Sequence, residues 1–196
     1  MNRAFVAGVV LLGLAGHAGA ETMPSPSAEY RSKGRMAGGM TVEYRHANGK
    51  MRMEMRSPEM PQPMIGYFDV KTQKGIMIMS APGMAPMAIE TGTGYQGNVG
   101  VAQGTGQRVG TDKVAGESCD LWKPDMKTAD DKKMDALACV TRDGIMLRMS
   151  GNVNGKRETI FEVVELERAP QDMKQLTPPP GLKPVKVPAV MMPPRK

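Results

Sequence analysis

The chain has 196 residues, a formal net charge of +6, 4% aromatic residues, two histidines and two cysteines. Its length fits one domain once a leader is set aside. No Lys/Arg block is dense, and the aromatics that base-stacking platforms need are scarce, so nucleic acid is excluded as a partner.

At the N-terminus, Asn2 and Arg3 form a short positive region ahead of an uncharged apolar run over residues 4–15. Ala18-Gly19-Ala20 supplies a small-x-small cleavage pattern, so residues 1–20 read as a signal peptide cut before Glu21. The apolar run is about a dozen residues, short of the roughly 20 that cross a bilayer. No cysteine lies near the cleavage site, so no lipoprotein anchor is expected. Removing residues 1–20 leaves 176 residues and a charge of +5, because only Arg3 is lost. The expected location is the periplasm. The positive balance suits contact with a membrane surface or another envelope protein.

The remainder reads as short strands separated by turns, with no long helical period. Residues 28–44 alternate loosely and lead into Asn48-Gly49, a two-residue hairpin turn in which both residues accept positive φ. That turn sets His46 opposite Met51, Tyr44 opposite Met53 and Val42 opposite Met55. One face is then apolar and sulfur-rich, and the other carries Glu43, Arg45, Arg52, Glu54 and Arg56. The same register opposes Arg45 to Arg52 and Glu43 to Glu54, which needs compensation from other neighbours.

A Met- and Pro-rich break over residues 58–63 precedes a strand at 65–70, a turn at 71–75 and a run at 76–79 that is apolar on both faces. Residues 87–90 form a further short strand. Residues 92–110 hold seven glycines and read as a loop or loosely held edge. Strands follow at 111–114 and 118–122, around Ala115-Gly116. Residues 123–133 read as a charged loop with room for one helical turn. Residues 136–141 and 145–150 flank Asp143-Gly144, and 157–167 follow Val153-Asn154-Gly155. A three-residue loop there, with Gly155 left-handed, would set Leu147 opposite Phe161 and Ile145 opposite Val163. From residue 177 the chain is basic and Pro-rich, with seven prolines in the last 20 residues, and reads as extended or disordered. The expected organisation is one β domain over residues 27–182 and a tail over 183–196. The hairpin series predicts a mainly β fold with few or short helices.

In an oxidising compartment Cys119 and Cys139 read as one structural disulfide; they lack the Cys-x-x-Cys spacing of a redox pair. Loss of His17 with the leader leaves His46 as the sole imidazole, placed on a charged hairpin tip. No Ser-His-Asp, Cys-His or multi-histidine zinc machinery can be assembled, so a non-enzymatic protein without a cofactor is expected. Asp130-Asp131 reads as surface charge in a Lys-flanked loop. Gly92-Thr93-Gly94-Tyr95-Gln96-Gly97 matches the dinucleotide fingerprint in letters only, because no helix follows it.

Methionine is the unusual feature: 20 in all, eleven of them between Met36 and Met87. Three readings compete. Met fills irregular cores, it lines pliable apolar surfaces, and its thioether selects Cu(I). The apolar-face set is Val42, Tyr44, Met51, Met53, Met55, Met77 and Met79; the copper alternative is His46, Met51, Met53 and Met55.

Three segments carry a resemblance: Val114-Ala115-Gly116-Glu117-Ser118-Cys119-Asp120-Leu121-Trp122, Cys139-Val140-Thr141-Arg142-Asp143-Gly144-Ile145-Met146-Leu147, and Pro180-Gly181. With Lys50-Met51-Arg52-Met53-Glu54, they resemble a group of bacterial exported proteins similar to the superfamily of the periplasmic outer-membrane lipoprotein carrier. The resemblance implies an open, strongly curved antiparallel half-barrel whose concave face holds acyl chains under a helical lid. No long amphipathic helix that could serve as that lid is readable here. The expected function is binding of a lipid or other amphiphilic apolar ligand on the Met-lined concave face. The alternatives are a Met-rich copper-binding protein or a structural or accessory envelope protein.

Overall fold

Turn residues with positive φ separate most of the twelve strands formed by the described residues. The structure is a computed structural model that describes residues 19–80, 83, 85–91, 104–126 and 134–186. The signal-peptide segment up to residue 18, the glycine fingerprint at 92–97, most of the charged loop (127–133) and the tail beyond 186 lie outside the described residues.

The strands are β1 (Glu21–Thr22), β2 (Tyr30–Met36), β3 (Thr41–Ala47), β4 (Lys50–Arg56), β5 (Met64–Asp69), β6 (Lys74–Met79) and β7 (Met87–Thr91), then β8 (Thr105–Val114), β9 (Glu117–Pro124), β10 (Ala136–Val140), β11 (Met146–Val153) and β12 (Lys156–Glu167). A single 3-10 turn, Ala37–Gly39, is the only helical element among the described residues. All twelve strands form one antiparallel sheet in the order β1-β8-β9-β10-β11-β12-β2-β3-β4-β5-β6-β7. Two meanders, β8 to β12 and β2 to β7, are thus joined by the pairing of β12 with β2. The sheet does not close: β1 and β7 are its two edges. The mainly β fold with almost no helix is that expected from the hairpin series, and the unclosed sheet is consistent with a curved, open half-barrel.

Local chemistry explains most of this layout. Asn48 and Gly49 have φ of 51° and 74°, the geometry of a two-residue turn whose twist matches that of its strands. The β3–β4 register sets His46 opposite Met51, Tyr44 opposite Met53 and Val42 opposite Met55, as the turn predicts. The like-charged pairs are compensated along and between strands. Glu43 accepts from Arg31 of β2 at 2.7 Å and from Arg45 at 2.8 Å, and Glu54 accepts from Arg52 at 2.6 Å and Arg56 at 2.5 Å.

Three expectations need correction. Residues 28–44 are not one run: Gly38 and Gly39, both with positive φ, fold the chain back and make two strands, β2 and β3. Residues 105–110 are not loop. They open β8, whose backbone is paired with Pro124, Lys123, Trp122 and Leu121 of β9. The β11–β12 loop has two residues, Asn154 and Gly155, and a bulge at Met149–Ser150 resets the register. Met149, not Leu147, therefore lies opposite Phe161, and Arg148 lies opposite Glu162.

Curvature has two visible sources. Register shifts interrupt β8, β10, β11 and β12, and bulges of this kind bend and twist a sheet. In addition, two aromatic rings lie against glycines, Phe161 over Gly34 of the neighbouring strand and Phe68 over Gly66 of its own strand and Gly75 of the next. A Cβ on Gly34 would fall 2.5 Å from the Phe161 ring, and one on Gly66 or Gly75 would fall 2.4 Å from the Phe68 ring. The inner side buries one apolar cluster that reaches from Val42, Met51 and Phe68 to Trp122, Leu147 and Phe161. Tyr44 meets Phe161 edge to face at 5.8 Å.

Candidate ligand-binding face

Residues directly opposite one another in an antiparallel pair share a face, so the register lays out the concave side of β3 to β7 as three rows. The deepest runs His46, Met51, Phe68, Gly75, Thr91. The middle row runs Tyr44, Met53, Gly66, Met77, Ile89. The third opens with Val42 opposite Met55 and Met55 opposite Met64, and closes with Met79 opposite Met87. Continuing the Ile65–Ile78 register by one residue sets Met64 opposite Met79 and completes the row.

Burial falls off across these rows. Met51, Met53 and Met77 are buried, and Met55 and Met64 are half-buried and packed on the core. Met79 and Met87 are 37% and 47% exposed. Met36, half-buried, sits at the same end of the sheet, opposite Phe161. The methionines therefore grade from core to surface and end in a rim of thioethers supplied by consecutive strands.

Each residue predicted for the apolar face can now be placed. Val42, Tyr44, Met51, Met53 and Met77 share the buried cluster, Met55 packs on its margin, and Met79 stands on the exposed rim. Met36, Met64 and Met87 belong to the same face and were missed. Met64 and Met87 each open a strand just after a proline, and the alternation starting there was the available signal. On the opposite face Tyr67, Ile78 and Ala88 form a second cluster with Ile65, Ile76 and Leu182. Within the 76–79 run Met77 and Ile78 are buried on opposite faces, whereas Met79 is exposed.

His46 is not on a charged surface. It is 1% exposed, because its register places it on the concave side with Met51, and its ring stacks on Tyr30 at 5.5 Å. His46 Nδ1 lies 2.7 Å from the Ala28 carbonyl oxygen, which can only accept, so Nδ1 carries the proton and Nε2 the lone pair. Burial pushes the His46 pKa below its ordinary value. Its Nε2 is buried without a hydrogen-bond partner among the described residues.

For the copper alternative, Met51 lies opposite His46, but Met53 and Met55 continue along β4. Alternate strand residues are about 7 Å apart, so the three thioethers form a line of about 14 Å instead of surrounding one point. Among the described residues no group of three His, Cys, Asp or Glu side chains could hold a metal ion.

The Cys119–Cys139 disulfide is formed, with the two Cα atoms 5.4 Å apart, and it joins neighbouring strands β9 and β10. Cys139 lies opposite Arg148, which pairs with Asp112 and Glu162, whereas Ala138 lies opposite Met149 of the core face. Both cysteines are nonetheless buried and belong to the same core cluster as Met51 and Met53, and the disulfide is compatible with an oxidising compartment.

At the other end of the sheet, a groove of about 910 Å³ separates the β5–β6 hairpin from the segment over residues 173–178. Sequence reading missed it, because its walls come from residues about a hundred positions apart. No protein-family model matches the chain, and no curated protein matches it.

Proposed function

We propose that this is a periplasmic, non-enzymatic binding protein for a lipid or another amphiphilic apolar ligand, held on the Met-lined concave face. The observation that carries the reading is the rim of Met55, Met64, Met79 and Met87, where an otherwise buried apolar face comes to the surface. Thioether side chains adapt to a ligand of variable shape, and each acyl CH₂ buried against them contributes about 0.8 kcal/mol. The disulfide fits the proposed compartment. Kinship with the lipoprotein-carrier superfamily is the family-level form of the same proposal, and contact with a membrane surface would be the route of loading.

The test is native mass spectrometry of protein purified from the periplasm, followed by organic extraction and titration with a fluorescent fatty-acid probe. A bound apolar mass and saturable uptake are expected. Substituting Met79→Glu and Met87→Glu puts charge on exposed positions and should weaken uptake by roughly ten-fold or more. A clean unliganded mass with no probe uptake leaves an accessory protein whose sheet closes on its own core.

A second reading, soft-metal binding, is favoured by one observation: the lone pair of His46 Nε2 is buried without a partner among the described residues, on the face it shares with Met51. It predicts that His46→Ala, or Leu at Met51, Met53 and Met55 together, lowers Cu(I) retention against a competing chelator. The Leu variant should leave apolar ligand uptake largely intact, because Leu and Met are close in volume.

A further inference from the structure

We infer a second ligand site: the groove beside the β5–β6 hairpin takes the anionic end of an amphiphile, a carboxylate or phosphate, with its chain on the groove's apolar floor. The inference goes beyond the proposed function and uses none of the rim methionines.

The groove lies where the end of the sheet presents both its faces. Phe68 and Gly75 come from the concave side, and Tyr67 and Ile76 from the other. Its second wall is the segment after β12. Leu176 of that wall is buried, and the wall is tied down at several points. The Gln171 backbone N–H donates to Glu29 Oε2 at 3.0 Å, and the Thr177 hydroxyl donates to the Met173 carbonyl at 2.9 Å. Asn48 Nδ2 reaches Met173 Sδ at 3.9 Å. The site is therefore formed before any ligand arrives, and its volume falls in the range of about 300–1,000 Å³ usual for small-molecule pockets.

Charge decides the occupant. Among the described residues, Lys50, Lys74 and Lys186 line the groove against two carboxylates, Asp69 and Glu90. Asp69 is already committed: it accepts from Lys50 Nζ at 2.5 Å and from the Thr72 backbone N–H at 2.8 Å. The Lys50 ammonium holds its carboxyl down to about 2. Glu90 meets Lys186 only loosely, at 4.0 Å, and the Lys186 side chain is 86% exposed. Lys74 makes no ion pair among the described residues. An apolar floor ringed by ammonium groups in excess of carboxylates matches an amphiphile with a negative head.

The test compares monomeric oleate, lysophosphatidate, neutral monoolein and inorganic phosphate as ligands of the full protein by calorimetry. Oleate and lysophosphatidate should each bind roughly ten-fold or more tightly than monoolein. The double variant Lys74→Glu, Lys186→Glu should erase that preference and leave monoolein binding unchanged; both side chains are exposed, and Lys74→Gln with Lys186→Gln is the milder control. Equal affinity for oleate and monoolein, an unchanged preference in the variants, or full displacement of oleate by millimolar inorganic phosphate overturns the inference. Failure of the concave-face proposal reads differently: Met79→Glu with Met87→Glu then leaves uptake of both oleate and monoolein unchanged, while the head-group preference persists.

Discussion

His46 shows how one register assignment governs a residue's chemistry. On a hairpin tip an imidazole titrates freely; here the strand parity that buries Tyr44 and Met51 buries the ring as well, between Tyr30 and the Ala28 carbonyl. The residue's position on the hairpin was legible in the sequence. Its burial was not, because the covering group comes from residue 28, outside the hairpin. The folded pKa lies below the ordinary value of 6.5. The unfolded chain therefore takes up the proton first as pH falls. Stability is full above the unfolded value, and it declines as pH drops from there through the folded value. One proton sets a slope of at most about 1.4 kcal/mol per pH unit. Glu43, Glu54, Asp112 and Asp143 are all held below their ordinary carboxylate values, so they act only at lower pH. Urea unfolding followed between about pH 7.5 and pH 5.5 should show the decline, and His46→Phe should flatten it. An equal slope in the variant would mean that another group is responsible.

At the scale of elements, what could be read from sequence was what the backbone settles locally. Asn48-Gly49, Ala115-Gly116 and Asp143-Gly144 mark turns because each sets a glycine at positive φ, and the first of them set a seven-pair register. Bulges escaped such reading. The extra residue there, Ile160 of β12 across from Met149–Ser150, sits beside Phe161, which faces Met149 and lies against Gly34, a tertiary matter. The glycine-rich start of β8 escaped for the same reason, since its pairing with β9 and β1 gives order to residues with little intrinsic strand preference. The β9–β10 disulfide lies across a connection that includes the charged loop, with a separation of 20 residues. Closing a loop of that size stabilises the fold by about 3 kcal/mol, chiefly by restricting the unfolded chain. Guanidinium unfolding with and without reductant should reveal a loss of about 2–4 kcal/mol. Cys119→Ala with Cys139→Ala should match the reduced protein, and a loss well under that range would mean that strand pairing alone fixes this corner.

On the scale of the whole molecule, the pairing of β12 with β2 turns two meanders into one curved sheet, and it joins residues such as Glu167 and Arg31 that no local rule connects. An open sheet keeps two edges, and an edge strand is a template for self-association unless something blunts it. The β7 edge is blunted by the segment after residue 181. Val185 forms a parallel bridge with Ile89, its N–H donates to the Ala88 carbonyl at 2.9 Å, and its carbonyl accepts from the Glu90 N–H at 3.1 Å. Just before it, Leu182 packs on the cluster of Tyr67, Ile78 and Ala88 that the outer face would otherwise expose. A stretch that reads from composition as a passive Pro-rich tail is, as far as Lys186, a cover for both the last strand and the apolar back of the sheet. Ending the chain at Gly181 removes one partly buried leucine and two backbone hydrogen bonds, a loss of about 2–4 kcal/mol. It also leaves the β7 edge and its apolar flank open, so the truncated protein should self-associate with rising concentration in sedimentation velocity while the full chain does not. A truncated protein that stays monomeric at unchanged stability would show that the segment after Gly181 only lies on the sheet and does not protect it.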